Sequence, residues 1–455
     1  VTLYLSYGNS KDQMRHRKSS MHAIQRFWGV RMFHAYAPDN DKVRWMEYIE
    51  ERTRLQPQGI DEKGGWPSVY AVGLATFAVV TTEMLPVGLM MPIAEALQTS
   101  VGIAGLMMSV PAILAALFAP IVVLVAGGID RRRILAGLLV LLIIANVASA
   151  LATSIGWLLA ARVIVGFCMG GIWAIAGGLA PRLVPARSVG MATAIIFGGV
   201  SAASVLGVPI GAVIGDFAGW RWAFGAMAVF SVLVLILSLS TLPALPVGQS
   251  VKLSQFTAQL TRGPIQLGLA VTLLFVAGHF MAYTFVRPLL QTMSRIDVDW
   301  MGILLFAYGA AGIAGNFLVG AVASRQIGMT LIAIAAALAA TIFGFSTFGG
   351  TAVGGTSILI VWGVAYGGVS VALQTWMMKA ASSAIEIATA LFVSVFNVGI
   401  ALGSFAGGMV VDRFGLHTNL LLAAVLPALG LLFALAIQFH VVRQGKVHTA
   451  ALAEN

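Results

Sequence analysis

Along this chain, apolar runs of about twenty residues alternate with short polar interruptions. Each run is long enough to cross a hydrocarbon core about 30 Å thick as a helix. Twelve such runs are present: Ser68–Ile93, Gly102–Ala126, Ile134–Ala152, Trp157–Leu179, Met191–Ile214, Trp222–Leu242, Gln266–Phe285, Gly302–Ala323, Leu331–Phe348, Ser357–Met378, Ala388–Met409 and Leu420–Gln438. A polar stretch from Pro243 to Gly263, carrying Lys252 and Arg262, separates the sixth from the seventh. The pattern predicts an all-α integral membrane protein with a six-helix bundle over residues 66–242, a cytoplasmic linker at 243–263, a second six-helix bundle over 264–440 and a cytoplasmic tail at 441–455.

The two bundles read as copies of one unit. A shift of 196 residues carries Glu83 onto His279 and Pro92 onto Pro288, and also Gly207 onto Gly403, Gly211 onto Gly407, Asp216 onto Asp412 and Gly219 onto Gly415. Glycine matches are cheap in a glycine-rich membrane protein, so the proline and the aspartate carry most of the weight. A duplicated six-helix unit is the arrangement in which secondary transporters place a solute site between two halves near the bilayer midplane.

Composition agrees with lipid as the solvent. Of 455 residues, 59% are hydrophobic and 10% charged, against about 25% charged in ordinary soluble domains. The net charge of +10 is spread over short loops instead of forming the stripe that nucleic acid requires. With the N-terminus inside, cytoplasmic segments hold Arg131, Arg132, Arg133, Arg182, Arg187, Lys252, Arg262, Arg325, Lys379, Arg443 and Lys446, whereas Arg221, Arg287, Arg295 and Arg413 lie outside or at the outer interface. That bias supports both termini in the cytoplasm. The single cysteine, Cys168, rules out an intramolecular disulfide and reads as a small buried helix residue. Residues 1–65 are polar and lack the apolar core of a secretory signal. They read either as a basic aromatic segment, MHAIQRFWGVRMFHAYA, lying on the inner membrane surface, or as a misassigned start with Met46 the true beginning. The second is the expectation, with the stretch a disordered extension.

The chemistry-bearing residues are few. No Walker loop, metal-spaced Cys/His cluster or nucleophile elbow is present, so no cofactor or metal is expected and an ATP-driven pump is disfavoured. Glu83, in TTEMLPVGLMMP, is the only charge between Ala71 and Ile93. It lies roughly 15 Å from one helix end and 23 Å from the other, a depth at which an acid costs about 2.5–3.5 kcal/mol on insertion scales. Such an acid either carries a proton as its hydration changes or sits neutral against a neighbouring helix. Arg162, in LLAARVIVG, is a second charge within a span; it either snorkels to the headgroups or faces inward and tunes the acid. His279 is a further proton site or a hydrogen-bonding wall residue, one turn from Tyr283. Asn316, Gln374 and Asn397 are polar groups at depth, either solute ligands or interhelical glue. Trp173 and Trp376 either stack on a ring or pack between helices. Together these suit a neutral, polar, partly planar solute. In GGIDRRRIL, Asp130 and three arginines including Arg131 and Arg133 sit in a tight turn, and Gly207, Pro209 and Gly211 in GVPIGAVIG permit close helix approach and a bend.

TTEMLPVGLMMP, DRRRIL, the arginine of LLAARVIVG, GVPIGAVIG and GWRWAF together resemble the twelve-helix drug:proton antiporter branch of the major facilitator superfamily over roughly Tyr70 to Val442. Within it the chain is similar to bacterial sugar-efflux and purine ribonucleoside efflux permeases, with GHFMAYTFVRP leaning toward the nucleoside exporters. The resemblance implies a fold of two pseudo-symmetric six-helix bundles, a gating role for Asp130 and Arg131, a proton-linked role for Arg162 and an exporter motif at Gly207, Pro209 and Gly211. The gating loop departs from the family pattern in its second glycine, and its second-half counterpart, ASRQIGM, is a remnant. The resulting expectation is a monomeric, non-enzymatic exporter that exchanges a nucleoside, sugar or drug-like solute for protons. The alternatives are an uncoupled facilitator or importer, for which Glu83 is structural, and a non-transporting receptor.

Overall fold

The computed structural model describes residues 65–125, 129–185, 188–245, 253–323, 325–381 and 385–453. Residues 1–64, which include the N-terminal extension, and Arg187 and Lys252 lie outside them. Every regular element among the described residues is helical, as lipid demands: a spanning segment must satisfy its own backbone hydrogen bonds. The helices are α1 (Trp66–Ala96), α2 (Val101–Val125), α3 (Arg131–Ala150), α4 (Ile155–Leu183), α5 (residues 189–218) and α6 (Trp220–Thr241). They continue after a short linker helix (Leu253–Leu260) with α7 (Gly263–Tyr283, prolonged by broken turns to Met293), α8 (Met301–Ala323), α9 (Ile327–Phe348) and α10 (residues 352–380, broken at Gly368). The last run, Ile385–Ala453, contains Gly415 in a conformation no helix holds (φ 81°, ψ 173°). It is therefore two helices, α11 (residues 385–414) and α12 (residues 416–453). Adjacent α7 residues touch both arms: Ala277 abuts Gly403, while Gly278 abuts Ala423 and Pro427, so α12 folds back beside α11. The twelve expected spans are all found, most extended by a few residues into the polar margins.

The duplication is written in the backbone. The two glycines with positive φ among the described residues are Gly219 (φ 94°) and Gly415 (φ 81°), equivalent under the 196-residue shift, and each joins the fifth helix of its half to the sixth. Packing repeats as well. On α5, Gly207, Gly211 and Gly215 leave no room for a Cβ against Thr81, Leu85 and Leu89 of α1. On α11, Gly403 and Gly407 do the same against Ala277 and Met281 of α7, again 196 residues on. Small residues at four-residue spacing bring helix backbones together where lipid offers no hydrophobic drive for association. In α5 a π-turn at Ala203–Gly207 immediately precedes Pro209, whose missing N–H removes one rung of the helical ladder.

The two bundles meet along α2 with α11 and α5 with α8, where Gly102 abuts Gly408, Gly302 abuts Val213, and Gly309 abuts the Ser204 carbonyl and Val205. Of the polar ties between them, Ser394 of α11 donates to the Ala116 carbonyl of α2 at 2.8 Å, and the charged ones gather at the end of the α1–α2 and α7–α8 connections. Arg287 pairs with Asp216 at 2.6 Å and donates to the Gly88 carbonyl, thereby joining α7 to α5 and α1. Asp412 accepts the Gly102 N–H at 2.9 Å and the Ser100 hydroxyl. The equivalent aspartates Asp216 and Asp412 thus each reach across to the opposite half. Arg287, expected at the outer interface, is instead 2% exposed, because Asp216 gives its charge a partner within the contact.

Candidate functional site

Near the middle of α1, Glu83 is fully enclosed, with no hydrogen-bond partner for either carboxylate oxygen. Its neighbour Thr82 anchors a polar cluster: Arg162 of α4 donates to the Thr82 carbonyl at 2.7 Å, and Asn146 of α3 donates to the Thr82 hydroxyl at 3.1 Å. Arg162 is 0% exposed and its guanidinium carbon lies 4.7 Å from the centre of the Phe224 ring on α6. The side chain is thus turned into the bundle and does not reach out to the headgroups. It lies within electrostatic range of Glu83 without forming a close ion pair, and Nε and Nη2 remain unpartnered. Across the bundle interface, Glu83 is also within electrostatic range of Tyr366 on α10. A carboxyl, a guanidinium and an amide from three helices are thus held together in a buried space, with several polar atoms that no protein group meets. Each such orphan costs about 1–3 kcal/mol unless water or a ligand meets it.

The second half builds something different around the equivalent position. His279 stacks on Tyr366 (ring centres 3.3 Å apart, planes within 6°) and on Tyr283 (4.9 Å, 20°), and Tyr283 stacks on Tyr308 of α8 (4.7 Å, 25°). Trp362 of α10 stands edge-on to His279, Tyr283 and Tyr308. Four roughly parallel rings from α7, α8 and α10 therefore form a column with one wall. Nδ1 of His279, the Tyr308 hydroxyl and Nε1 of Trp362 are buried with no partner.

Of the residues singled out from the sequence, Glu83 and Arg162 converge in one cluster and His279 and Tyr283 in the column. Trp173 lies 5.7 Å from Phe197, ring centre to ring centre, and its indole N–H is buried without a partner. Trp376 is elsewhere: its indole donates to the Pro264 carbonyl at 2.9 Å, at the start of α7. Asn397 is buried and donates to the Val393 carbonyl of its own helix, leaving its oxygen unpaired. Asn316 and Gln374 are half-buried on α8 and α10. Asn146, Tyr308, Trp362 and Tyr366 are additions that only the fold brings in.

Asp130 caps α3, accepting the backbone N–H of Arg132 and of Leu245, each at 2.9 Å. Burial pushes its carboxyl up, but these two donors and the Arg133 and Arg132 charges outweigh that effect and hold it below the ordinary range. The Arg131 N–H donates to the Leu245 carbonyl at 3.2 Å, so the loop fastens α3 to the segment after α6 within its own half. Arg133 is exposed. Pro209 is buried in α5 between Gly207 and Gly211, on the face packed against α1.

The family model described as Major Facilitator Superfamily matches residues 72–386. A purine ribonucleoside efflux pump, NepI, of Salmonella paratyphi A is 32% identical over 364 residues, covering 80% of this chain and 92% of the relative. Its counterpart in Salmonella enteritidis PT4 matches to the same extent. Among solved structures, a bacterial homologue of the human lysosomal transporter Spinster, inward-facing and unoccupied, superposes with a TM-score of 0.71 at 16% identity, covering 84% of this chain and 98% of that one. The occupied form gives 0.66 at 18% identity. At such identities the likeness concerns the fold.

Proposed function

The chain belongs to the major facilitator superfamily, and from that premise we propose that it exports a nucleoside-class solute in exchange for protons by alternating access. It is a multi-pass membrane transporter and not an enzyme. The name of its relatives, purine ribonucleoside efflux pump, favours export and a solute with a planar base and a polar sugar. The Lys/Arg bias of the loops favours cytoplasmic termini, and a monomer is the simplest unit because both halves of the site lie in one chain.

The observation that carries the proton reading is the position of Glu83. It is enclosed and unpaired, near Arg162 of its own half and Tyr366 of the other, where any rocking of the halves changes its hydration. Hydration decides whether a carboxyl holds its proton. A state open to the cytoplasm binds solute with Glu83 bare; a state open to the outside exchanges that solute for a proton. The ties of Arg287 and Asp412 seal one end, and their rupture is the price of opening it. In proteoliposomes, Glu83→Gln should abolish accumulation driven by a proton gradient while leaving solute binding intact. Accumulation at the wild-type level would remove Glu83 from the mechanism, and flux in the wild type indifferent to the gradient would make the protein a facilitator.

A further inference from the structure

We infer that Tyr366 is the movable lid of a slot for a planar heteroaromatic ring, closed in this structure by the stacking of Tyr366 on His279. This rests on the export reading and specifies what the site grips. Three observations bear on it. First, His279 and Tyr366 are in face-to-face contact, ring centres 3.3 Å apart, so Tyr366 covers the His279 face on which a flat ligand would stack and must move aside to admit one. Second, the slot is ready for a polar edge. His279, Tyr308 and Trp362 each present a buried, unpartnered nitrogen or oxygen, and these supply the donors and acceptors that a base with ring nitrogens and exocyclic groups matches. A pentose alone gains nothing from the faces of the column. Third, the rings differ in burial. His279, Tyr283, Tyr308 and Trp362 are buried, whereas Tyr366 is half-buried and stands two residues before the break in α10 at Gly368.

Gly367 there lies directly against the backbone of Gly312 on α8, and Val319 of α8 lies against Gly368, so the backbone beside Tyr366 is held and the lid moves by rotation of the tyrosine side chain. Tyr366 is a specificity and positioning residue in this scheme, not a proton carrier.

The test is equilibrium binding to the full chain in nanodiscs, with adenosine, adenine and ribose as probes. Tyr366→Leu should weaken adenosine and adenine about tenfold, the scale of one lost base–aromatic stack, and leave ribose unchanged, while Tyr366→Phe retains the wild-type preference for the base. Adenine binding unchanged in Tyr366→Leu, or adenine and ribose weakened equally, overturns the slot. Should Tyr366→Leu fail to fold, Tyr366→Cys offers a second readout, since the native thiol Cys168 is buried. Adenine, and not ribose, should protect the new thiol from maleimide, and equal labelling with and without adenine overturns the slot as well. Gradient-driven accumulation in wild-type proteoliposomes separates the two readings. Coupling present without base preference sinks the slot alone, and base preference without coupling sinks the proton exchange alone.

Discussion

Glu83 and His279 hold equivalent places in the two halves, on the first helix of each, but their surroundings have diverged. Around Glu83 the neighbours are Thr82, Asn146 and Arg162, held by directional hydrogen bonds and a guanidinium over the Phe224 ring. Around His279 they are Tyr283, Tyr308, Trp362 and Tyr366, held by stacked and edge-on rings. The scaffold under both shares two rungs, since Gly207 and Gly211 pack α5 on α1 as Gly403 and Gly407 pack α11 on α7, while the third, Gly215, has Val411 as its equivalent. Duplication thus kept the helix contacts and freed the inward-facing positions. One half gathers charged and amide groups and the other gathers rings, and on the mechanism proposed above both face the same solute.

Three tests break or sharpen that contrast. The largest effect is expected from Arg162→Ala, which removes a charged hydrogen bond, a cation–π contact and the cation nearest to Glu83. The loss should be about 3–5 kcal/mol of stability, read as a lowered unfolding temperature in detergent. Adding Glu83→Gln should restore part of it, because the acid then needs no counter-charge; strictly additive losses would mean that the two residues do not communicate.

The equivalent aspartates give the next test. Asp216→Asn leaves the enclosed guanidinium of Arg287 without its counter-ion and should cost about 3 kcal/mol. Asp412→Asn keeps an acceptor for uncharged donors and should cost about 1 kcal/mol. Equal effects would show that the two ties are interchangeable. The smallest effect is expected from His279→Phe, which preserves the stack and deletes the imidazole. It should lower base affinity by a few-fold through loss of one polar contact and leave the ratio of protons to solute, measured by flux in proteoliposomes, unchanged. A changed ratio would make His279 a second proton site and blur the division of labour.

The polar punctuation was readable from the sequence because it interrupts apolar runs at helix length, and so the twelve spans and the duplication follow from it. So did the ladder of Gly207 and Gly211, the turn glycines Gly219 and Gly415, and the depth of Glu83. What remained open was direction. A span that is apolar all round carries no periodic stripe to say which face turns inward, so Arg162 had two readings until the fold set it beneath Thr82. The same ambiguity left Trp376 among the candidate ring-binders although its indole is tied to Pro264. Arg287 looked like one interfacial cation among several, because its partner Asp216 lies 71 residues away in the chain.

Sequence by itself therefore determined the twelve spanning runs, that its halves are copies and that one acid, Glu83, lies deep in the first of them. The rotation of each helix, and with it the meeting of His279, Tyr308, Trp362 and Tyr366 from three separate helices, was decided by tertiary packing. The physical reason is that backbone hydrogen bonding and hydrophobic length act within one segment and fix its existence, whereas the facing of side chains is set by close packing between segments, which no single segment encodes.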